Sequence, residues 1–282
     1  TIKRLKKISG VIGVPMGTET HIRMPFSDFK KLQENIRGVQ LVDASPLIQE
    51  LRKIKSEAEI SKIRYICQRV SEGFLELPKI ANLGDEEKEI FRKFRIDLLA
   101  RGADEVPYLV GGSGPNGPTE VIGMPSTRIL TKGDMLMMDT GAVFDGYFSD
   151  FDRNFCFGSV DETVAAAYDV VYRATDSGLE AARPGITAEG LWRVMADVLS
   201  ESTTSKNAVG RLGHGLGMQL TEWPSNMKGD KTVMQPGMVM TLEPCIEFAD
   251  GRIMVHEENI VIRDGEPELL STRAPSEIPL IY

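Results

Sequence analysis

The chain has 282 residues, with 41 Asp plus Glu against 33 Lys plus Arg, a formal net charge of −8, 41 % apolar residues and 26 % charged ones. That length suits one large or two smaller domains with a sizeable core, and the composition is that of an ordinary globular protein, which excludes a disordered chain. An acidic balance works against binding a phosphate backbone, and no apolar run or N-terminal pattern reads as a membrane span or signal peptide. The expectation is therefore a cytoplasmic protein with neither a nucleic-acid nor a membrane partner.

Residues 1–52 mix short apolar stretches, Val11 to Val14 and Val39 to Val42, with basic and polar ones. They hold too little apolar material for an independent core and read as a partial N-terminal domain and linker ahead of a main domain at 53–282. Helix signals begin at Ser56, which forms a capping-box pattern with Glu59 ahead of Ile60, Ile63, Ile66, Val70 and Phe74. The spacing predicts a helix over about 57–80 and a second over about 85–100, with Gly102 after its end. Val106 to Val110 reads as a strand, closed by the turn cluster from Gly111 to Gly117. Two more helices are predicted at about 161–182, halted by Pro184-Gly185, and at about 187–201. Strands separated by Gly and Pro fill the last 75 residues, so the layout is α+β.

Cys67, Cys156 and Cys245 are odd in number and far apart, so they form neither a disulfide framework nor a CxxC knuckle. His21, His214 and His256 are the only histidines, so any metal site must be built mainly from carboxylates.

Two hairpins supply such carboxylates. In the run 134–157, Asp145-Gly146 is a strong two-residue hairpin signal. With that loop, opposed residues have numbers summing to 291, so Asp139 faces Asp152, Asp150 faces Gly141, and all three aspartates share one face. Three like charges on one face repel unless a cation sits among them. In the run 239–262, a three-residue loop Ala249-Asp250-Gly251 makes opposed numbers sum to 500 and sets Glu243 across from Glu257. A two-residue loop would instead set Glu258 there; the three-residue loop is the preferred reading. Between the hairpins lies Gly213-His214-Gly215-Leu216-Gly217, whose glycines keep bulk away from the one histidine best placed to join the acids. Two Asp, one His and two Glu make a hard, mostly oxygen site for a pair of divalent ions, Mn²⁺ or Co²⁺ first, Zn²⁺ or Fe²⁺ as alternatives. Two such ions share a bridging water and lower its pKa.

Asp139-Thr140-Gly141, Gly146 to Asp150, Arg153-Asn154-Phe155, Gly213 to Gly217, Leu242-Glu243-Pro244 and Glu257-Glu258 together resemble the M24 metallopeptidase family, in its Xaa-Pro aminopeptidase, prolidase and creatinase branch. Arg52 to Ser56 resembles the junction into that branch's catalytic domain. The resemblance implies a pita-bread fold, a curved antiparallel sheet flanked by helices and preceded by the remnant of an N-terminal domain. It implies metal ligands Asp139, Asp150, His214, Glu243 and Glu257, a homodimer, and a hydroxide bridging two metals that attacks an amide or related C–N bond in a dipeptide or other small substrate.

The departures bear on the substrate. Where the family carries a histidine after the Ser-Gly-Pro-Asn turn, this chain has Val121 or Ile122; where it carries a His-Glu pair, Thr221-Glu222 stands here. Glu222 is then the remaining candidate proton carrier. Asp152 replaces a usual threonine and Cys245 a usual glycine, and with Tyr108, Thr221 and Trp223 they are the candidate pocket residues. His256 points away from the Glu257 side and reads as structural. The leading expectation is an Xaa-Pro peptidase-like metallohydrolase. The alternatives are a small-molecule hydrolase or lyase acting on a modified amino acid or osmolyte, and a binding protein on a retired scaffold.

Overall fold

The structure, a computed structural model, describes residues 10–18, 20–36, 38–201, 210–249 and 251–282. It divides into two units, Thr1–Lys53 and Ile54–Tyr282. In the first, strands β1 (Val11–Val14) and β2 (Gln40–Asp43) run parallel and are connected through helix α1 (Phe26–Asn35). Helix α2 (Ser45–Lys53) follows. Ser45 ties the segment after β1 to the start of α2, its Oγ accepting from the backbone N–H of Met16 and Gly17. Neither helix was expected from the sequence, because their apolar residues are too sparse to mark a buried stripe; α1 buries none of its residues.

The second unit opens with helix α3 (Glu57–Ile80), started by the predicted capping box between Ser56 and Glu59. Helix α4 (Glu87–Ala100) packs beside it. Strands β3 (Glu105–Pro115), β4 (Asp134–Phe144), β5 (Tyr147–Phe148) and β6 (Phe151–Phe157) then form the first half-sheet, with β14 (Leu280–Ile281) parallel to β6. β3 runs further than predicted, through the Gly-rich stretch to Pro115, because small residues there pair with Met138 to Asp134 of β4. Helices α5 (Glu162–Ala181) and α6 (Ala188–Leu199) lead to the second half-sheet. Its strands are β7 (Arg211–Gly215), β8 (Glu222–Met227), β9 (Val239–Leu242), β12 (Glu258–Val261) and β13 (Glu268–Leu269), and the hairpin β10 (Cys245–Phe248) and β11 (Arg252–Val255) extends beyond it. No described helix is long and apolar enough to cross a membrane.

Both hairpin registers follow from the turns. Asp145 (φ 46°) and Gly146 (φ 80°) are both left-handed, as a two-residue loop of the inverted type requires. Every β4–β6 pair sums to 291, Asp139 with Asp152 included. In the second hairpin Cys245 pairs with Val255, Phe248 with Arg252 and Leu242 with Glu258, so the sum of 500 holds on both sides of Glu243 and Glu257. Asp250 of that loop lies outside the described residues.

Apolar alternation locks these registers. Leu136 and Met138 of β4 and Phe151, Phe155 and Phe157 of β6 enter the core under α3 and α4, whereas Met135, Met137 and Cys156 enter the core with α5 and α6. A slip of one residue would drive Asp150 and Asp152 into the phenylalanine cluster.

Candidate metal centre

Period-two alternation carries Asp139 on β4 and Asp150 and Asp152, flanking Phe151, to the face opposite that phenylalanine cluster. Asp139, Asp150, Asp152 and Glu257 are each at most 5 % exposed, and Glu243 is half-buried. A His Nε2 or Nδ1 and one carboxylate oxygen each from Asp150 and Glu257 lie within 4.8 Å of one another, a group able to hold a metal ion. His214 Nε2 stands 3.3 Å from Asp150 Oδ2, and its Nδ1 lies 2.9 Å from the Gly215 carbonyl. Since a carbonyl only accepts, Nδ1 carries the proton and Nε2 turns its lone pair toward the acids, the orientation a metal-binding imidazole needs. The glycine before it is dictated by close approach: at φ 126°, a Cβ on Gly213 would come 2.2 Å from the Thr241 carbonyl.

The donor chemistry fits a divalent cation. Asp139 Oδ1, Asp152 Oδ1 and Glu257 Oε1 are buried with no hydrogen-bond partner. Burial pushes the carboxyl groups of Asp139, Asp150, Asp152, Glu243 and Glu257 above the ordinary carboxylate range, and repulsion from Asp150 and Glu243 adds to the rise at Asp139. His214 opposes the rise at Glu243, and Arg211 opposes it at both Glu243 and Asp150. Orphaned oxygens and ill-favoured ionisation together describe acids arranged for a cation.

The backbone of the site is held by residues to which the sequence reading gave no such role. Asn259 accepts the Asp150 N–H on its side-chain oxygen at 2.9 Å and donates its amide to the Asp150 carbonyl. Arg153 donates to the Glu257 carbonyl at 2.9 Å, to the Asp152 and Thr272 carbonyls and to Glu258 Oε2 at 3.0 Å. Glu258, fully buried, also accepts from Ser271, Arg273 and the Ala274 N–H. The register pairs Glu258 with Leu242 rather than Glu243, and its carboxylate is turned toward arginines. His256 belongs to the same layer. It is 1 % exposed between Tyr168 and Tyr172, with Thr175 at Nδ1 (2.9 Å) and Arg273 at Nε2 (2.7 Å). Burial holds its pKa well below the ordinary histidine value, Arg273 and Arg153 adding to the effect.

Of the candidate pocket residues, Tyr108 reaches the acids. It pairs with Gly141, where a Cβ would run into the Leu220 side chain, and its hydroxyl approaches the Asp139 carboxylate within the field of Asp150 and Glu257. Burial and those carboxylates drive its phenol strongly upward, so it stays a donor. Thr221 is half-buried just before β8, and Trp223 half-buried within it. Cys245 is a buried thiol in β10, its pKa raised by burial, and so inert rather than nucleophilic. Glu222, the expected proton carrier, is buried in an ion pair. Its Oε2 takes Lys55 Nζ at 3.0 Å, with side-chain exposures of 4 % and 2 %, and its Oε1 takes the Gln219 N–H at 3.2 Å. Both of its oxygens are thus engaged. Val121 packs against the second core and Ile122 is exposed; His21 is exposed in the first unit.

Known proteins with this arrangement are informative. A family model, metallopeptidase family M24, matches residues 61–264. A probable dipeptidase PepE of Mycobacterium tuberculosis is 32 % identical over 276 residues, 97 % of this chain and 73 % of that protein. The Xaa-Pro dipeptidase of Pyrococcus horikoshii is 29 % identical over 259 residues, 91 % of this chain and 73 % of that one. Among solved structures, recombinant prolidase from Thermococcus sibiricus superposes with a TM-score of 0.87 at 27 % identity, covering 96 % of this chain and 72 % of that one. The prolidase of Pyrococcus horikoshii gives 0.86 at 26 %, covering 98 % and 78 %. The fold is accordingly the pita-bread fold, and relatives named as dipeptidases do not favour the small-molecule lyase alternative. With its two carboxylate hairpins, its glycine-flanked histidine and these matches across most of its length, the chain belongs to metallopeptidase family M24.

Proposed function

We propose that this chain is a divalent-metal-dependent dipeptidase of the Xaa-Pro dipeptidase type. One observation supports it above the others: in a member of this family, buried Asp150, His214 and Glu257 converge within 4.8 Å, beside orphaned oxygens of Asp139 and Glu257. Asp139, Asp150, His214, Glu243 and Glu257 hold two ions in this reading. Mostly oxygen donors favour Mn²⁺ or Co²⁺ over softer choices. When bound, such a pair supplies an activated water near neutral pH and polarises the scissile carbonyl.

The chain's own groups do the remaining work. His214 is fixed in its tautomer by the Gly215 carbonyl. The Tyr108 hydroxyl, kept protonated beside Asp139 and Asp150, is the donor to the substrate oxygen in this reading, where the family's imidazoles are missing. The Lys55–Glu222 pair orients the turn between β7 and β8 through the Gln219 N–H. A homodimer and a cytosolic setting complete the reading; three buried, unpaired cysteines suit a reducing compartment.

The test is turnover of a panel of Xaa-Pro and other dipeptides by the Mn²⁺-loaded protein, with a chelated control and sedimentation for the dimer. Metal-dependent cleavage is expected. Absence of cleavage after loading with Mn²⁺, Co²⁺, Zn²⁺ or Fe²⁺ in turn would refute the proposal.

A further inference from the structure

Asp152 is left over by everything described so far. It stands directly across from Asp139 in the β4–β6 ladder and shares a face with Asp150 two residues away. Its Oδ2 accepts from Asn154 Nδ2 at 2.9 Å. Its Oδ1 has no partner, and the residue is 2 % exposed.

The neighbouring Arg153 charge opposes the rise of its pKa but gives its carboxylate no hydrogen bond. Arg153 spends its guanidinium on the carbonyls of Asp152, Glu257 and Thr272 and on Glu258, and among the described residues no salt bridge reaches the Asp152 carboxylate. Burial and then Asp139, with Glu243 and Glu258, push its carboxyl up, and Asp152 in turn raises Glu257. Two of those acids, Asp139 and Glu257, carry orphaned oxygens of their own. Orphaned oxygens thus lie on Asp152 and on Asp139, which face each other on one side of the ladder, and a third lies on buried Glu257. Buried anions of one sign are stable together only around a cation or a shared proton.

We infer that Asp152 is an additional protein ligand of the metal pair, its Oδ1 joining Asp139 on the deep side of the site. The inference rests on the metal-dependent reading above. It makes the centre one of five carboxylates and one imidazole. An added hard oxygen raises coordination beyond the four positions zinc prefers and favours an octahedral ion such as Mn²⁺.

The experiment is calorimetric titration of the metal-free protein with Mn²⁺ and with Zn²⁺, for wild type, Asp152→Asn, Asp152→Ser and, as a reference, Asp150→Asn. Circular dichroism checks that each metal-free variant is folded. The expected result is that both Asp152 variants bind Mn²⁺ at least about tenfold more weakly than wild type, with a smaller loss for Zn²⁺. Mn²⁺ binding by Asp152→Asn as tight as wild type, or tighter, would overturn it and identify Asp152 as a partner sharing a proton with Asp139, since an amide N–H replaces a carboxyl O–H in that role. If wild type itself takes up no ion, the metal-dependent reading fails and this inference with it. Tight wild-type binding that Asp150→Asn weakens and Asp152→Asn does not would sink this inference alone.

Discussion

Asn259 holds Asp150 by its backbone, accepting its N–H at 2.9 Å and donating to its carbonyl. One amide side chain on β12 thus does for Asp150 what a neighbouring strand would do, and it joins the second half-sheet to the first at a residue whose carboxylate stands 3.3 Å from His214 Nε2. Asn259→Ala would leave a buried N–H and carbonyl unpartnered, each costing about 1–3 kcal/mol. Displacement of a group that orients a ligand typically weakens metal binding about 10- to 100-fold. Urea denaturation and Mn²⁺ titration should both register the change; an Asn259→Ala protein with unaltered affinity would show that Asp150 is positioned without it.

Metal binding should be linked to pH. The carboxyl groups of Asp139, Asp150, Asp152, Glu243 and Glu257 are raised in the folded chain. Their contribution to the stability of the metal-free protein is therefore fully present below the unfolded carboxylate values, about 4, and is lost as pH rises through the folded ones. A cation reverses this by favouring the ionised acids, so Mn²⁺ affinity should climb with pH and binding should release protons. Titrations in buffers of different ionisation enthalpy count those protons. An affinity that is flat between pH 5.5 and 7.5 would contradict the linkage.

His256 predicts a slope of the opposite sign. Its folded pKa is depressed, so the stability it confers is present above the unfolded value of about 6.5 and is lost as pH falls below it. Protonation would set an imidazolium against Arg273, which donates to Nε2. His256→Gln carries no charge at any pH, and its denaturation midpoint should fall less than that of wild type between pH 7 and 5. Parallel profiles for the two proteins would place the acid sensitivity elsewhere.

Arg153 and Glu258 form a pair 3.0 Å apart with side-chain exposures of 8 % and 0 %. Removing one partner of a buried pair strands the other charge, at about 3–5 kcal/mol. Arg153→Met should lose that much in chemical denaturation. Arg153→Lys should recover only part of it, because one ammonium cannot serve the Asp152, Glu257 and Thr272 carbonyls and Glu258 together. Full stability in the lysine variant would show that charge alone matters there.

Much of this arrangement of acids was legible in the chain because hairpins are local. Asp145-Gly146 determines a sum of 291 and hence the meeting of Asp139 with Asp152, and the alternation of phenylalanines on β6 determines which face the aspartates take. The capping box at Ser56 and the stripe of α3 are local in the same sense. The choice between Glu257 and Glu258 was a question of one loop residue, which the ladder from Val239 to Val261 decides for Glu257. What no local pattern contained are pairings across great stretches of chain: Lys55 with Glu222, 167 positions apart, Asn259 with Asp150, 109 apart, and Arg153 with the Glu257 carbonyl, 104 apart. The ion pair of Glu222 was not legible because nothing near it in sequence predicts a buried lysine. Periodicity and turn chemistry act over a few residues and specify the face on which an acid lies. Which buried charge it meets there depends on how two half-sheets close on each other, and that is set only when the whole core packs.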